Sequence, residues 1–246
     1  MTSLQMRVGL QVPNHGECNY AKRTHHRRQS RLGLEFARQY AADGWRVIAT
    51  CRDPVRARAL QSLDGRVERI ALDVTDNLSI GTLVVTLGQT PIDVLLLNAA
   101  VHLQKDCALE ELNEERWLLE FNVNVIAPTI LARRLADNVA RSDLRRIVAI
   151  SSGSGSINNM KTGGNYAYRA CKAALNASMR TLAFDLASRG ITVVSVAPGH
   201  TRTDMGGTDA PYSAEDSVAR VRGVIDRLAF KDSGNFLSRD GRPLPW

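Results

Sequence analysis

The chain has 246 residues, 44% of them hydrophobic and 23% charged, with a formal net charge of +7. These are globular proportions at a length suited to one α/β domain; no run nears the roughly 18 apolar residues of a membrane span, and the N-terminus lacks the apolar block of a secretory signal. Six basic residues against Glu17 put +5 of the charge within residues 1–32, so the remainder is nearly balanced and a nucleic-acid-binding surface is not expected.

Residues 1–31 show no clear apolar period, and basic residues crowd Lys22-Arg23-Thr24-His25-His26-Arg27-Arg28. An atypical basic segment is expected there, poorly ordered or placed without apolar burial over residues 1–20, with some strand-like pairing around residues 20–26. From Leu34 onward the pattern becomes regular. A helix ending near Gly44 leads to a strand over residues 46–50, with further strands at 67–73 and 94–97. A long helix around 117–138 precedes a strand at 147–150. A helix over 166–188, closed by Gly190, precedes a strand at 191–196. Continuous apolar runs such as Val94-Leu95-Leu96-Leu97 indicate strands buried on both faces. Strands alternating with helices predict a doubly wound parallel sheet in a single α/β domain over residues 32–246. The four cysteines form no Cys-x-x-Cys pair, so a reduced, cytoplasmic protein without a structural metal is expected.

Chemistry concentrates in Tyr168-Arg169-Ala170-Cys171-Lys172. A phenol and an ammonium four residues apart on a helix share one face. Ser152 lies sixteen positions earlier, just past the strand that ends at Ile150, where open α/β sheets place their ligands. Hydroxyl, phenol and lysine together form a proton-donor set for carbonyl chemistry. A tyrosine near pKa ~10 is a weak acid-base catalyst at neutral pH, and Lys172 is expected to draw it toward the working range. The plainer readings are a packing tyrosine beside a surface lysine, and a Ser152 that merely caps a turn.

The run Ser151-Ser152-Gly153-Ser154-Gly155-Ser156-Ile157 followed by Gly163-Gly164-Asn165-Tyr166-Ala167-Tyr168-Arg169-Ala170-Cys171-Lys172 resembles the short-chain dehydrogenase/reductase family, in its C-factor or sniffer-like carbonyl reductase branch. Leu97-Asn98-Ala99-Ala100, Asn122-Val123-Asn124-Val125 and Pro198-Gly199-His200-Thr201-Arg202-Thr203 are similar to further family motifs in order and spacing. The ending Leu244-Pro245-Trp246 fits as well. The resemblance spans about residues 32–246 and implies a Rossmann-like fold. It implies Tyr168 as general acid/base, Lys172 on the nicotinamide ribose, Ser152 on the carbonyl, and Asn124 holding a water that links Lys172 to solvent. Asn124 could equally satisfy backbone at a helix irregularity. Gly33, Asp73, Val74, Asn98, Ala99, Ala100, Pro198, Gly199, Thr201 and Thr203 would join Tyr168 and Lys172 around the cofactor. Arg52 stands where an NAD-specific enzyme would carry an acid. A guanidinium there suits a 2′-phosphate, so NADP (NADPH) is the cofactor expected. A small-molecule carbonyl or alcohol would be the substrate, with no nucleic acid or membrane partner and room for a homodimer. The rival is a non-catalytic signalling or scaffold protein on the same fold.

One departure bears on that rival. The family's Gly-x-x-x-Gly-x-Gly turn should occupy Arg27-Arg28-Gln29-Ser30-Arg31-Leu32-Gly33, and only Gly33 matches. Glycine serves there because backbone must approach the pyrophosphate closely. The segment His25–Arg31 can be spelled CAC CAC CGG CGC CAA TCG CGG. Read one base on, this gives Thr-Thr-Gly-Ala-Asn-Arg-Gly, the family's phosphate turn, which joins Leu32-Gly33-Leu34 if one base is restored. The sequence thus predicts a shifted reading frame over this segment, with the first strand of the sheet missing from residues 1–31.

Overall fold

The computed structural model describes residues 7–11 and 31–246. Seven strands form one sheet: β1 (Arg7–Gln11), β2 (Arg46–Cys51), β3 (Val67–Ala71), β4 (Val94–Leu97), β5 (Arg146–Ile150), β6 (Thr192–Ala197) and β7 (Phe236–Ser238). They are ordered β3-β2-β1-β4-β5-β6-β7, and every ladder is parallel. The helices are α1 (Arg31–Ala42), α2 (Arg58–Gln61), α3 (Asn77–Leu87), α4 (Glu114–Phe121), α5 (Ala127–Ala140), α6 (Tyr166–Asp185) and α7 (Ala214–Arg227).

Period-2 alternation along the strands builds two cores. Val47, Ala49, Val94, Leu96, Val148 and Val194 pack with Phe36 and Tyr40 of α1 and Val218 and Val221 of α7. Ile48, Leu95, Leu97, Ile147, Ala149 and Val193 face the other way, against Leu83, Leu131, Leu135, Leu175 and Met179 of α3, α5 and α6. The expected doubly wound sheet is therefore present, as a single domain. Its strand order reverses between β1 and β4, and the crevice off the carboxyl ends at that point is where such sheets bind ligands.

Two expectations need correction. A first strand does exist, and it lies at Arg7–Gln11, pairing Val8 with Val47 and Val94, and Leu10 with Ala49 and Leu96. The neighbours β2 and β4 each have an edge whose backbone groups must be paired, and a five-residue segment too short to show a period satisfies both. Pairing around residues 20–26 and the phosphate turn up to Ser30 fall outside the described residues. The long helix expected over 117–138 is instead two helices joined by a π-helical turn, Asn122–Ile126. Pro128 has no N–H to offer the Asn124 carbonyl, so the α-helical ladder is interrupted there, and Ala127 N–H reaches back five residues to Asn122. The expected closure at Gly190 is present: a short 3₁₀ turn after α6 ends there, with a φ of 67°, the left-handed closure that glycine adopts without strain.

Candidate active site

A cleft of about 640 Å³ opens at the carboxyl ends of the central strands. Ser152, Tyr168, Pro198, Gly199, Thr201 and Thr203 line it. Asn124 and Lys172 stand behind its wall, 1% and 2% exposed. Arg52, Asp73, Val74, Asn98, Ala99 and Ala100 sit beyond the lining, at the ends of β2, β3 and β4. Gly33 is buried in the first turn of α1, beside the cleft residue Leu32.

Ser152 extends off β5 and does two things. Its Oγ accepts from Ser154 N–H at 3.1 Å, capping a 3₁₀ turn over Gly153–Gly155, and it stands close enough to the Tyr168 phenol to lower its pKa. Gly155 lets that turn press onto α6, since a Cβ there would stand 2.8 Å from the Lys172 carbonyl carbon. The turn-capping reading of Ser152 is thus met.

Lys172 donates from Nζ to the Ile150 carbonyl at 2.9 Å and lies 5.7 Å from the Tyr168 ring centroid. Burial pushes its pKa down to about 8. Burial pushes Tyr168 up to about 12, against the lowering effect of Ser152. The expectation that Lys172 draws the phenol down is not met: its ammonium is turned to the Ile150 carbonyl, and desolvation of the phenolate dominates. Tyr168 consequently keeps its proton at neutral pH, the state a general acid needs.

Asn124 uses both ends of its amide on one residue: Nδ2 donates to the Val101 carbonyl and Oδ1 accepts from the Val101 N–H, each at 2.8 Å. Satisfying backbone beside a helix irregularity is what its side chain does. Thr201 and Thr203 are similarly committed. Thr201 Oγ1 lies 2.8 Å from Ser217 Oγ, and Thr203 Oγ1 accepts from Gly206 N–H at 3.0 Å, shaping the loop over the cleft. Asn124→Ala should strand both Val101 groups, costing about 2–4 kcal/mol and lowering Tm by roughly 5–15 °C in thermal denaturation.

Sequence reasoning passed over His102 and Glu120. His102 stacks on Tyr168 with ring centroids 4.3 Å apart, and Lys105, three residues on, reaches across the cleft to the Met205 carbonyl at 3.2 Å. The available signal was polar residues directly after the Asn98-Ala99-Ala100 strand end. Glu120 is wholly buried one helical turn before Asn124; a charge on the same face as Asn124 was the clue. Among the described residues no cluster of His, Cys, Asp or Glu is arranged to hold a metal, and no helix is long and apolar enough to cross a membrane.

A family profile described as short chain dehydrogenase matches residues 29–212. The chain belongs to the short-chain dehydrogenase family. Among curated relatives of this family member, the C-signal protein of Myxococcus xanthus is 37% identical over 156 residues, which is 63% of this chain and 93% of that one. The 3-oxoacyl-[acyl-carrier-protein] reductase MabA of Mycobacterium tuberculosis is 29% identical over 85% of this chain and 87% of its own. Among solved structures, the Sniffer carbonyl reductase of D. melanogaster superposes with a TM-score of 0.83 at 27% identity, over 98% of this chain and 99% of that one. A carbonyl reductase from Pseudomonas aeruginosa in complex with NADP gives 0.80 at 27% identity, over 98% and 100%. The short-chain dehydrogenase fold is thereby established for this chain, in a family of oxidoreductases.

Proposed function

We propose that this protein reduces a carbonyl, or oxidises the corresponding alcohol, with NADP(H). The observation that carries the reading is Tyr168 on the cleft wall with Ser152, backed by Lys172, whose Nζ lies 5.7 Å from the phenol ring centroid. A bound nicotinamide supplies or accepts the hydride. Tyr168 then gives its proton to the substrate oxygen, Ser152 orients that oxygen, and Lys172 returns a proton to the phenol.

The described residues fit the nicotinamide half of a dinucleotide, whereas Arg27 and Arg31 do not suit its pyrophosphate. The cleft volume lies in the ligand-site range. Gly199 has a φ of 80°, and a Cβ there would stand 3.0 Å from Tyr212 and 3.2 Å from Arg239, so glycine lets those two side chains pack onto the loop over the cleft. Pro198, Gly199, Thr201, Thr203, Tyr168 and Lys172 would hold the nicotinamide half. Asp73, Val74, Asn98, Ala99, Ala100 and Gly33 would border the adenosine and phosphates. The cofactor found with the Pseudomonas carbonyl reductase supports NADP, as does Arg52, which is exposed directly after β2. The substrate would lie against residues 200–215, His102 and Lys105.

The test is loss of NADPH absorbance with p-nitrobenzaldehyde and a panel of ketones and quinones. NADPH consumption stoichiometric with alcohol formation supports the reading; binding of NADPH with no turnover on any of them counts against it. For cofactor choice, Arg52→Asp should replace a phosphate partner with a repelling acid and move the NADPH-to-NADH preference by roughly 10- to 100-fold. Ratios of kcat/KM for the two cofactors measure this. A parent protein that already prefers NADH would overturn the role given to Arg52.

A further inference from the structure

Glu120 occupies a place for which a structural role alone gives no reason. Its side chain is 0% exposed. Oε2 accepts one hydrogen bond, from Leu103 N–H at 3.2 Å, and Oε1 has no partner. Glutamine would make the Leu103 bond without the cost of burying a carboxyl. What distinguishes the carboxyl is its proton, and its surroundings are the proton-handling groups of the site. Glu120 and Asn124 share a face of the α4–π segment and pin the same loop, at Leu103 and Val101. That segment packs on α6, which carries Tyr168, Cys171 and Lys172, all within electrostatic reach of Glu120. The pinned loop contributes His102, stacked on Tyr168.

We propose that Glu120 is a buried proton reservoir that refills Lys172, acting behind the residues that meet the substrate; this rests on the carbonyl-reducing function proposed above. In each reduction the Tyr168 O–H bond breaks and its proton goes to the substrate oxygen. A Lys172 N–H proton then passes to the phenolate. The Glu120 O–H proton passes to the Lys172 amine, through an intervening water because Glu120 and Lys172 do not hydrogen-bond directly. Solvent reprotonates the carboxylate. Burial raises Glu120 to about 7, while the Lys172 charge opposes this. Lys172 stands at about 8 and Tyr168 at about 12, so each recipient binds the proton more tightly than its donor. With its pKa raised, Glu120 holds the proton below neutrality and has lost it at alkaline pH.

Infrared difference titration of the cofactor-free full chain tests the reservoir without turnover. Wild type should show a protonated-carboxyl band that titrates near neutrality, is missing in Glu120→Gln, and titrates at higher pH in Lys172→Met, where the opposing cation is gone. A carboxyl ionising in the ordinary range near pH 4, or one indifferent to Lys172→Met, overturns the proposal. In turnover of p-nitrobenzaldehyde, Glu120→Gln should lower kcat roughly tenfold, less than loss of a group that meets the substrate. It should leave KM near its parent value, remove the kcat inflection near neutral pH, and enlarge the solvent deuterium effect. A purely structural Glu120 would shift Tm and leave the pH profile intact, which also overturns the proposal. If the protein with its phosphate turn restored binds NADPH yet reduces no carbonyl, the carbonyl-reductase reading has failed, and the infrared titration still decides whether Glu120 and Lys172 share a proton.

Discussion

In the protein with its phosphate turn restored, Tyr168→Phe should lower carbonyl reduction by about 10²–10⁴-fold in kcat while NADPH affinity stays within about twofold. Phenylalanine keeps the ring that stacks on His102 at 4.3 Å and that Lys172 approaches at 5.7 Å. Only the hydroxyl and its proton are removed. That proton is needed where the oxyanion develops, in the transition state, so its loss appears in kcat more than in binding. Because burial holds Tyr168 near 12, ionisation of the phenol itself should not limit reduction between pH 6 and 9. Alcohol oxidation needs the phenolate and should therefore quicken as pH rises. Lys172→Ala should harm both kcat and cofactor affinity. Stopped-flow hydride transfer and NADPH titration measure the two effects separately. Near-normal rates in Tyr168→Phe would remove the phenol from the chemistry.

The parts of this architecture that were legible in the sequence are those whose burial is continuous. β2, β4, β5 and β6 are almost wholly buried, and their apolar runs announced them. The Tyr168–Lys172 pair was legible because helical spacing alone puts both on one face. The break at the π-helical turn was hidden because the apolar pattern of α4 continues into α5; only Pro128 marked it. β7 is three residues long, too short for a pattern, and is defined by its ladder with β6. His102 and Glu120 could not be placed because their roles depend on a loop folding back against α6, a long-range contact that no local spacing encodes. The pKa of Tyr168 was misjudged for a related reason. Sequence gave its neighbours, but not that the Ile150 carbonyl holds the Lys172 ammonium.

The N-terminal segment sets the other large expectation: the chain as written should bind NADPH at least about 100-fold more weakly than one with the reading frame restored. In this family the pyrophosphate rests on backbone N–H groups at the turn before α1, and charge-assisted bonds of that kind contribute about 1.5–3 kcal/mol each. Loss of even one or two is enough for a hundredfold change. Arg27 and Arg31 put a Cβ at two positions that call for bare backbone. The fold adds a second argument. Nineteen residues separate β1 from α1, where strand-to-helix connections in α/β units usually take about 2–6. Read one base on, the codons of Lys22–Thr24 permit Asn-Val-Leu, a strand-forming sequence, and those of His25–Arg31 permit Thr-Thr-Gly-Ala-Asn-Arg-Gly. Strand and turn then meet Leu32-Gly33 at the family's spacing, and the new strand would compete for the slot that Arg7–Gln11 fills. The repaired protein should bind NADPH at micromolar concentration or below, and should melt at a higher temperature when NADPH is present. The checks are the source DNA over codons 20–33 and isothermal titration of NADPH into both proteins. A verified uninterrupted frame, with micromolar binding by the chain as written, would refute the shifted frame. A verified frame without binding would instead favour the scaffold protein, a short-chain dehydrogenase fold that keeps Tyr168 and Lys172 but has given up the cofactor they serve.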